Sequence, residues 1–330
     1  MGKKLFLLVN LLLFAAVIQA VPVSKSEAQK KAQQFISGKI AAARGTNVST
    51  PDLQFEAADG DNYYVFNVGQ HQGFVIVSGD DRTPGIRGYS DEGDFDAENI
   101  PSNMKAWFQG YADEIHELKT TPEVAGARSA ARVTERDWAA IDPLVQTKWG
   151  QDAPYNDAVK PNVTGCVATA MAQLMYFHKW PKEETTAIPK YANYSSLEPI
   201  VFDWNSMKET YGGSESVTAK TAVATLMKYC GYSVNMAYGS GSSSAVASLA
   251  VNALKSYFNY DQNIRYIERA YYGIDEWESI IYEELANDRP VMYGGSTVRG
   301  AGHEIVCDGY DGNGLFHFHL AVVDEIHQRV

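Results

Sequence analysis

Cys166 stands in the run Thr164-Gly165-Cys166-Val167-Ala168-Thr169-Ala170-Met171-Ala172-Gln173, and His303 in Gly300-Ala301-Gly302-His303-Glu304-Ile305-Val306. The first run places a thiol in the opening turn of an apolar helix. The second places an imidazole at the head of an apolar strand. A thiol at a helix N-terminus sits against the positive end of the helix dipole, and a neighbouring imidazolium lowers its pKa further from about 8.5. Thiolate and imidazole together supply a nucleophile and a base for acyl transfer. Thr164 is placed to cap the helix, and Gly165 permits close backbone approach. Each residue also has a plain structural reading: Cys166 as a buried small hydrophobe, His303 as a surface residue at a strand start. Gln151, in Trp149-Gly150-Gln151-Asp152-Ala153-Pro154-Tyr155-Asn156, is either a polar turn residue or a side-chain N–H donor to an oxyanion. In the second case the Cys166 backbone N–H is the other donor.

The elements that must position these groups fall into two modules. Residues 26–43 carry apolar residues at helical spacing, including Ala28, Ala32, Phe35, Ile36 and Ile40. Tyr63 to Val68 and Phe74 to Ser78 flank a short turn and read as a hairpin. Residues 80–99 are acidic and turn-rich, and Pro101 opens a helix with Met104, Trp107, Phe108, Tyr111, Ile115 and Leu118 on one side. The stretch from Thr120 to Arg136 is small and polar with scattered arginines, an exposed linker suited to proteolytic nicking.

Beyond it, the Cys166 helix ends before Pro181, and helices follow at 222–229, 245–257 and 276–286. Strands follow at 290–293, 304–310 and 315–320, the last two joined by the turn Asp311-Gly312-Asn313-Gly314. Helices first and strands later is an α+β order.

Composition narrows the function. The chain has 330 residues, 45% apolar, with a formal net charge of −12. Such a charge opposes nucleic-acid binding. Lys3-Lys4, an apolar stretch from Leu5 to Ile18 and Gln19-Ala20 have the layout of a secretory signal over residues 1–20. That implies export, to the extracellular space, periplasm or cell surface, with no stable membrane insertion afterwards. Of the three cysteines, Cys230 and Cys307 read as core residues or a disulfide pair. A zinc site is a further alternative, built from His317 and His319 on one face of a strand with Cys307 or His303. No metal or cofactor is expected.

Several of these stretches in this order resemble the streptopain family of papain-like bacterial cysteine peptidases, over about residues 140–318, with interpain-type enzymes as near relatives. The stretches are Trp149 to Asn156, Thr164 to Gln173, Phe202-Asp203-Trp204, Tyr238 to Ala245 and Gly302 to Gly309. The resemblance implies a papain-like α+β fold, a helical part packed on an antiparallel sheet or barrel part. A small α+β inhibitory propeptide domain would precede it at 21–132, with the peptidase domain at 133–330. It also implies that Cys166 is the nucleophile, His303 the general base and Gln151 the oxyanion donor. Ser244 and Gly302 match positions that contact the substrate backbone. Protein or peptide substrates and the chain's own propeptide are the implied partners, and one apolar side-chain pocket is expected beside the nucleophile.

The end departs from the family. Where relatives carry Asn-Trp-Gly-Trp-Gly-Gly, this chain reads His319-Leu320-Ala321-Val322 and ends at Val330. His319 takes the asparagine's place, so the domain is expected to be incomplete there, His303 to lack its orienting group and the sheet to have an open edge. The alternative reading is therefore a catalytically inactive homologue that binds peptides or a related protease.

Overall fold

Two apolar runs without alternation, Tyr63–Val68 (β2) and Phe74–Ser78 (β3), pair antiparallel and are buried almost throughout. Their continuity follows from burial on both faces. Tyr64, Phe66, Val75 and Val77 face Ala28, Ala32 and Ile36 of helix α1 (Lys25–Arg44). Val65, Phe74 and Ile76 face Met104, Phe108 and Tyr111 of helix α2 (Ser102–Thr120). Strands β1 (Leu53–Ala58) and β4 (Ile86–Ser90) flank the pair. The computed structural model describes residues 22–44, 52–100, 102–120, 137–296, 302–319 and 325–328. The expected signal and most of the expected linker lie outside them.

The second half begins with helices. Helix α3 (Cys166–His178) is buried from Val167 to Tyr176, on every side, as a central core helix must be. It packs with helix α4 (Val217–Ser233) and helix α5 (Leu249–Tyr257) around Met171, Met175, Leu226, Met227 and Phe258. Trp149 is fully buried in the same core and donates its indole N–H to the Lys208 carbonyl at 2.9 Å. Helix α6 (Ile274–Ala286) leads into β5 (Val291–Ser296), β6 (Gly302–Tyr310), β7 (Phe316–His319) and β8 (Glu325–Gln328).

All eight strands form one sheet in the order β1-β2-β3-β4-β8-β7-β6-β5. The junction between the two halves is the antiparallel pair β4–β8, Gly88 opposite Gln328 and Tyr89 opposite His327. The open edge expected beyond β7 is therefore filled. β8 hydrogen-bonds β7 on one side and β4 of the first half on the other, so neither presents an unpaired ladder there. The halves also share a core. Trp277, Ile281, Ile305, Phe316 and Phe318 pack in one cluster with Val65, Phe74, Met104 and Phe108.

The cysteines do not pair. Cys230 lies in the helical core with its thiol 3.6 Å from the Met175 sulfur, Cys307 lies in the shared sheet core, and all three thiols are free.

Candidate active site

The segment before the nucleophile position is tied down from both sides. The Thr164 N–H donates to the Gln151 carbonyl at 3.1 Å, fixing the glutamine loop to the start of α3. The Ser243 hydroxyl donates to the Val163 carbonyl at 2.7 Å and accepts the Gly239 N–H at 3.1 Å, fixing the Gly/Ser loop to the same segment. Gly165 turns the chain into the helix at φ 85°. A Cβ there would stand 2.7 Å from the Met236 sulfur and 3.2 Å from the Ser243 side chain, so only glycine fits. Thr164 is not the cap. Its hydroxyl pairs with Thr169 Oγ1 at 3.0 Å, and Gly165 precedes the first helical residue, Cys166, with no side-chain cap.

Cys166 is half-buried in a cleft of about 2090 Å³ that Gln151, Ser244, Gly302, His303 and Glu304 also line. The structure thus gathers all five residues singled out in the sequence around one opening. Ser244 pairs with Ala237 through reciprocal backbone hydrogen bonds at 2.8 and 3.2 Å, leaving its side chain at the cleft wall. Gly302 is exposed at the first position of β6, opposite Ser296.

Burial disfavours the charged form of both Cys166 and His303. Burial pushes the Cys166 thiol up; the Glu304 backbone N–H, which hydrogen-bonds the thiol, opposes this, and the Glu304 carboxylate adds to it. Burial pushes the His303 imidazole down, and its Nδ1 is buried with no hydrogen-bond partner. His319 gives His303 no help. Its Nε2 lies 3.0 Å from Asp308 Oδ2, while His317 Nδ1 lies 2.6 Å from Asp308 Oδ1. The zinc alternative expected Cys307 or His303 beside the two histidines; Asp308 stands there instead, with the three ligand atoms mutually within 4.8 Å. Direct hydrogen bonds account for that grouping. The Val145 N–H donates to the same carboxylate at 2.7 Å, anchoring the strand-like entry of the second half to β6.

Glu304 is the residue at this site that sequence reasoning missed. It is buried, and burial pushes its carboxyl up to about 7 from 4.5. A carboxyl raised on folding binds more protons folded than unfolded between those values, so stability falls as pH rises from 4.5 to about 7. The loss is about 3 kcal/mol. Glu304→Gln is expected to flatten that slope in chemical-denaturation curves collected across the window.

The first half meets the site from behind. Among the described residues, the cleft lining comes from 151–304. Trp107 of α2 lies against Gly295, where a Cβ would be 3.4 Å from the indole, and Gly295 is the register partner of His303. The indole also packs 6.0 Å from the Phe318 ring and donates to Tyr111 Oη at 2.9 Å.

A cysteine at a buried helix N-terminus and a histidine at a strand head thus line one cleft, and the N-terminal module packs against that strand. The chain belongs to the peptidase C10 family, whose model matches residues 149–321, and residues 20–115 match the Spi protease inhibitor family. It is similar to the thiol protease/hemagglutinin PrtT of Porphyromonas gingivalis, 32% identical over 96% of this chain. It spans only 39% of that relative's length. Streptopain of Streptococcus pyogenes is 34% identical over 96% of this chain and 88% of the relative. Among solved structures, a Prevotella intermedia prointerpain A fragment carrying a cysteine-to-alanine substitution superposes with a TM-score of 0.72 at 29% identity, over 85% of this chain and 92% of the other. Active interpain A gives 0.53 at 32% identity, over 60% and 91%.

Proposed function

We propose that the chain is an exported endopeptidase zymogen working through a Cys166–His303 couple. The observation that carries this reading is that Cys166 at the α3 N-terminus and His303 at the head of β6 line one cleft. His303 takes the thiol proton, and the Cys166 sulfur attacks the scissile carbonyl carbon. Gln151 Nε2–H and the Cys166 backbone N–H hold the resulting oxyanion. The intermediate collapses to a thioester as His303 protonates the leaving amine, and a water deprotonated by His303 then releases the acyl product. Ser244 and Gly302 hold the substrate backbone. Gln151→Ala is expected to lower kcat by roughly 10²–10³-fold, the scale for one oxyanion donor, in a fluorogenic-peptide assay.

Residues 21–132 would be the propeptide and 133–330 the peptidase domain, parted by cutting within 120–136. Export rests on the charged and apolar layout of residues 1–20; among the described residues no helix is long and apolar enough to cross a membrane. The propeptide reaches the site through Trp107, which lies against Gly295, the β5 partner of His303. Trp107→Ala is expected to weaken its hold by about 2 kcal/mol, the scale of an aromatic interface anchor. The readout is earlier appearance of activity during processing.

The unpartnered His303 Nδ1, with His319 engaged on Asp308, favours a second reading, an inactive homologue that binds peptides. One experiment separates the two: treatment with a peptidyl epoxide and mass mapping of the adduct. Labelling of Cys166 that requires removal of the N-terminal module supports the zymogen. A folded protein unlabelled before and after that removal supports the inactive homologue.

A further inference from the structure

Glu304 follows His303 directly on β6, and strand geometry turns its side chain to the other face. Its own N–H hydrogen-bonds the Cys166 thiol, so the residue is fixed beside the nucleophile. Its carboxylate lies over Gly294, its register partner on β5, where a Cβ would stand 2.5 Å from Oε2. The missing side chain at Gly294 makes the room the carboxylate occupies. Met292 and Tyr266 also line the cleft. The cleft wall beside the nucleophile thus holds an acid.

Among the described residues that acid has no hydrogen-bond or ion-pair partner, although Lys182, Arg265, Arg269 and Arg289 all line the cleft. A buried carboxylate without a partner is costly, and a cation brought by a ligand removes the cost. Buried charge of one sign in a cleft selects the opposite sign in what binds.

We propose that Glu304 is a specificity-determining residue, whose carboxylate receives the lysine or arginine side chain of a peptide substrate beside the scissile bond. The raised carboxyl agrees with this, since an arriving cation would restore its ionisation. The inference rests on the peptidase reading above.

The test compares labelling rates of Cys166 in the full chain after cutting of its connecting segment. Paired peptidyl epoxides carry lysine or the uncharged, similarly long norleucine at the first or second residue from the reactive centre. The wild type is expected to react at least tenfold faster with lysine at one of these positions. Glu304→Gln and Glu304→Ala should each bring that ratio within twofold of one. Equal wild-type rates, or a ratio unchanged in both variants, overturn the proposal alone. Failure of every probe to label Cys166 overturns the peptidase reading and the proposal with it.

Discussion

Cys166→Ala is expected to lower peptide hydrolysis by about 10⁶-fold in kcat, leaving only the slow background that oxyanion donors and binding sustain. The size of the loss reflects covalent catalysis. Without the sulfur no thioester forms, and His303 has no proton to take. Removing His303 should cost nearly as much, and the double variant little more, because the two act as one unit. Fluorogenic-peptide kinetics on the processed protein check this. A Cys166→Ala protein retaining the wild-type rate would sink the mechanism. Folding should be untouched, since the half-buried thiol lies at the cleft and the helix start is held by Thr164, Gly165 and Ser243.

Asp308→Ala is the substitution expected to damage stability most. The carboxylate is fully buried and takes hydrogen bonds from Val145 N–H, His317 and His319. Removing it takes a shared buried acceptor from two imidazoles and an amide, at a cost of about 3–5 kcal/mol. That corresponds to a fall in Tm of roughly 10 °C. Asp308→Asn keeps the shape and part of the bonding and should cost less. The pH dependence has a definite sign. Burial pushes the Asp308 carboxyl up, but the His317 and His319 hydrogen bonds outweigh it and hold it down at about 2 from 3.8. A depressed carboxyl contributes stability that is complete above about 3.8 and is lost as pH falls through about 2, amounting to about 2 kcal/mol. Acid-unfolding curves of Asp308→Ala should lack that component.

Much of this arrangement was legible in the chain. Helix α3, the β2–β3 hairpin and strand β6 declare themselves because each is buried enough to be written as an apolar run. Cys166, His303, Gln151, Ser244 and Gly302 could be chosen because the stretches that hold them resemble those of one family. What was hidden has physical reasons. β1 is an edge strand with mostly exposed side chains, so it carries little pattern. β4 places Arg87 and Gly88 at its centre, within an acidic stretch that reads as turn. Helix α5 starts at Leu249 rather than Ala245 because the chain before it is held in the Ala237–Ser244 bridge. Asp308 meets His317 and His319 only through the β6–β7 pairing. The carboxylate of Glu304 is remarkable in the sequence only once Gly294 is known to lie opposite.

The sheet that runs from β1 to β5 through the β4–β8 pair separates cutting from switching on. In the uncut chain the covalent connection holds the N-terminal half at an effective concentration of about millimolar. A cut between residues 120 and 137 leaves the described strand pairs and the shared core of Phe74, Phe108, Ile305 and Phe318 in place. It turns a unimolecular contact into a bimolecular one. Release is then expected to follow dilution, the nicked protein staying a two-piece complex when concentrated and coming apart when diluted.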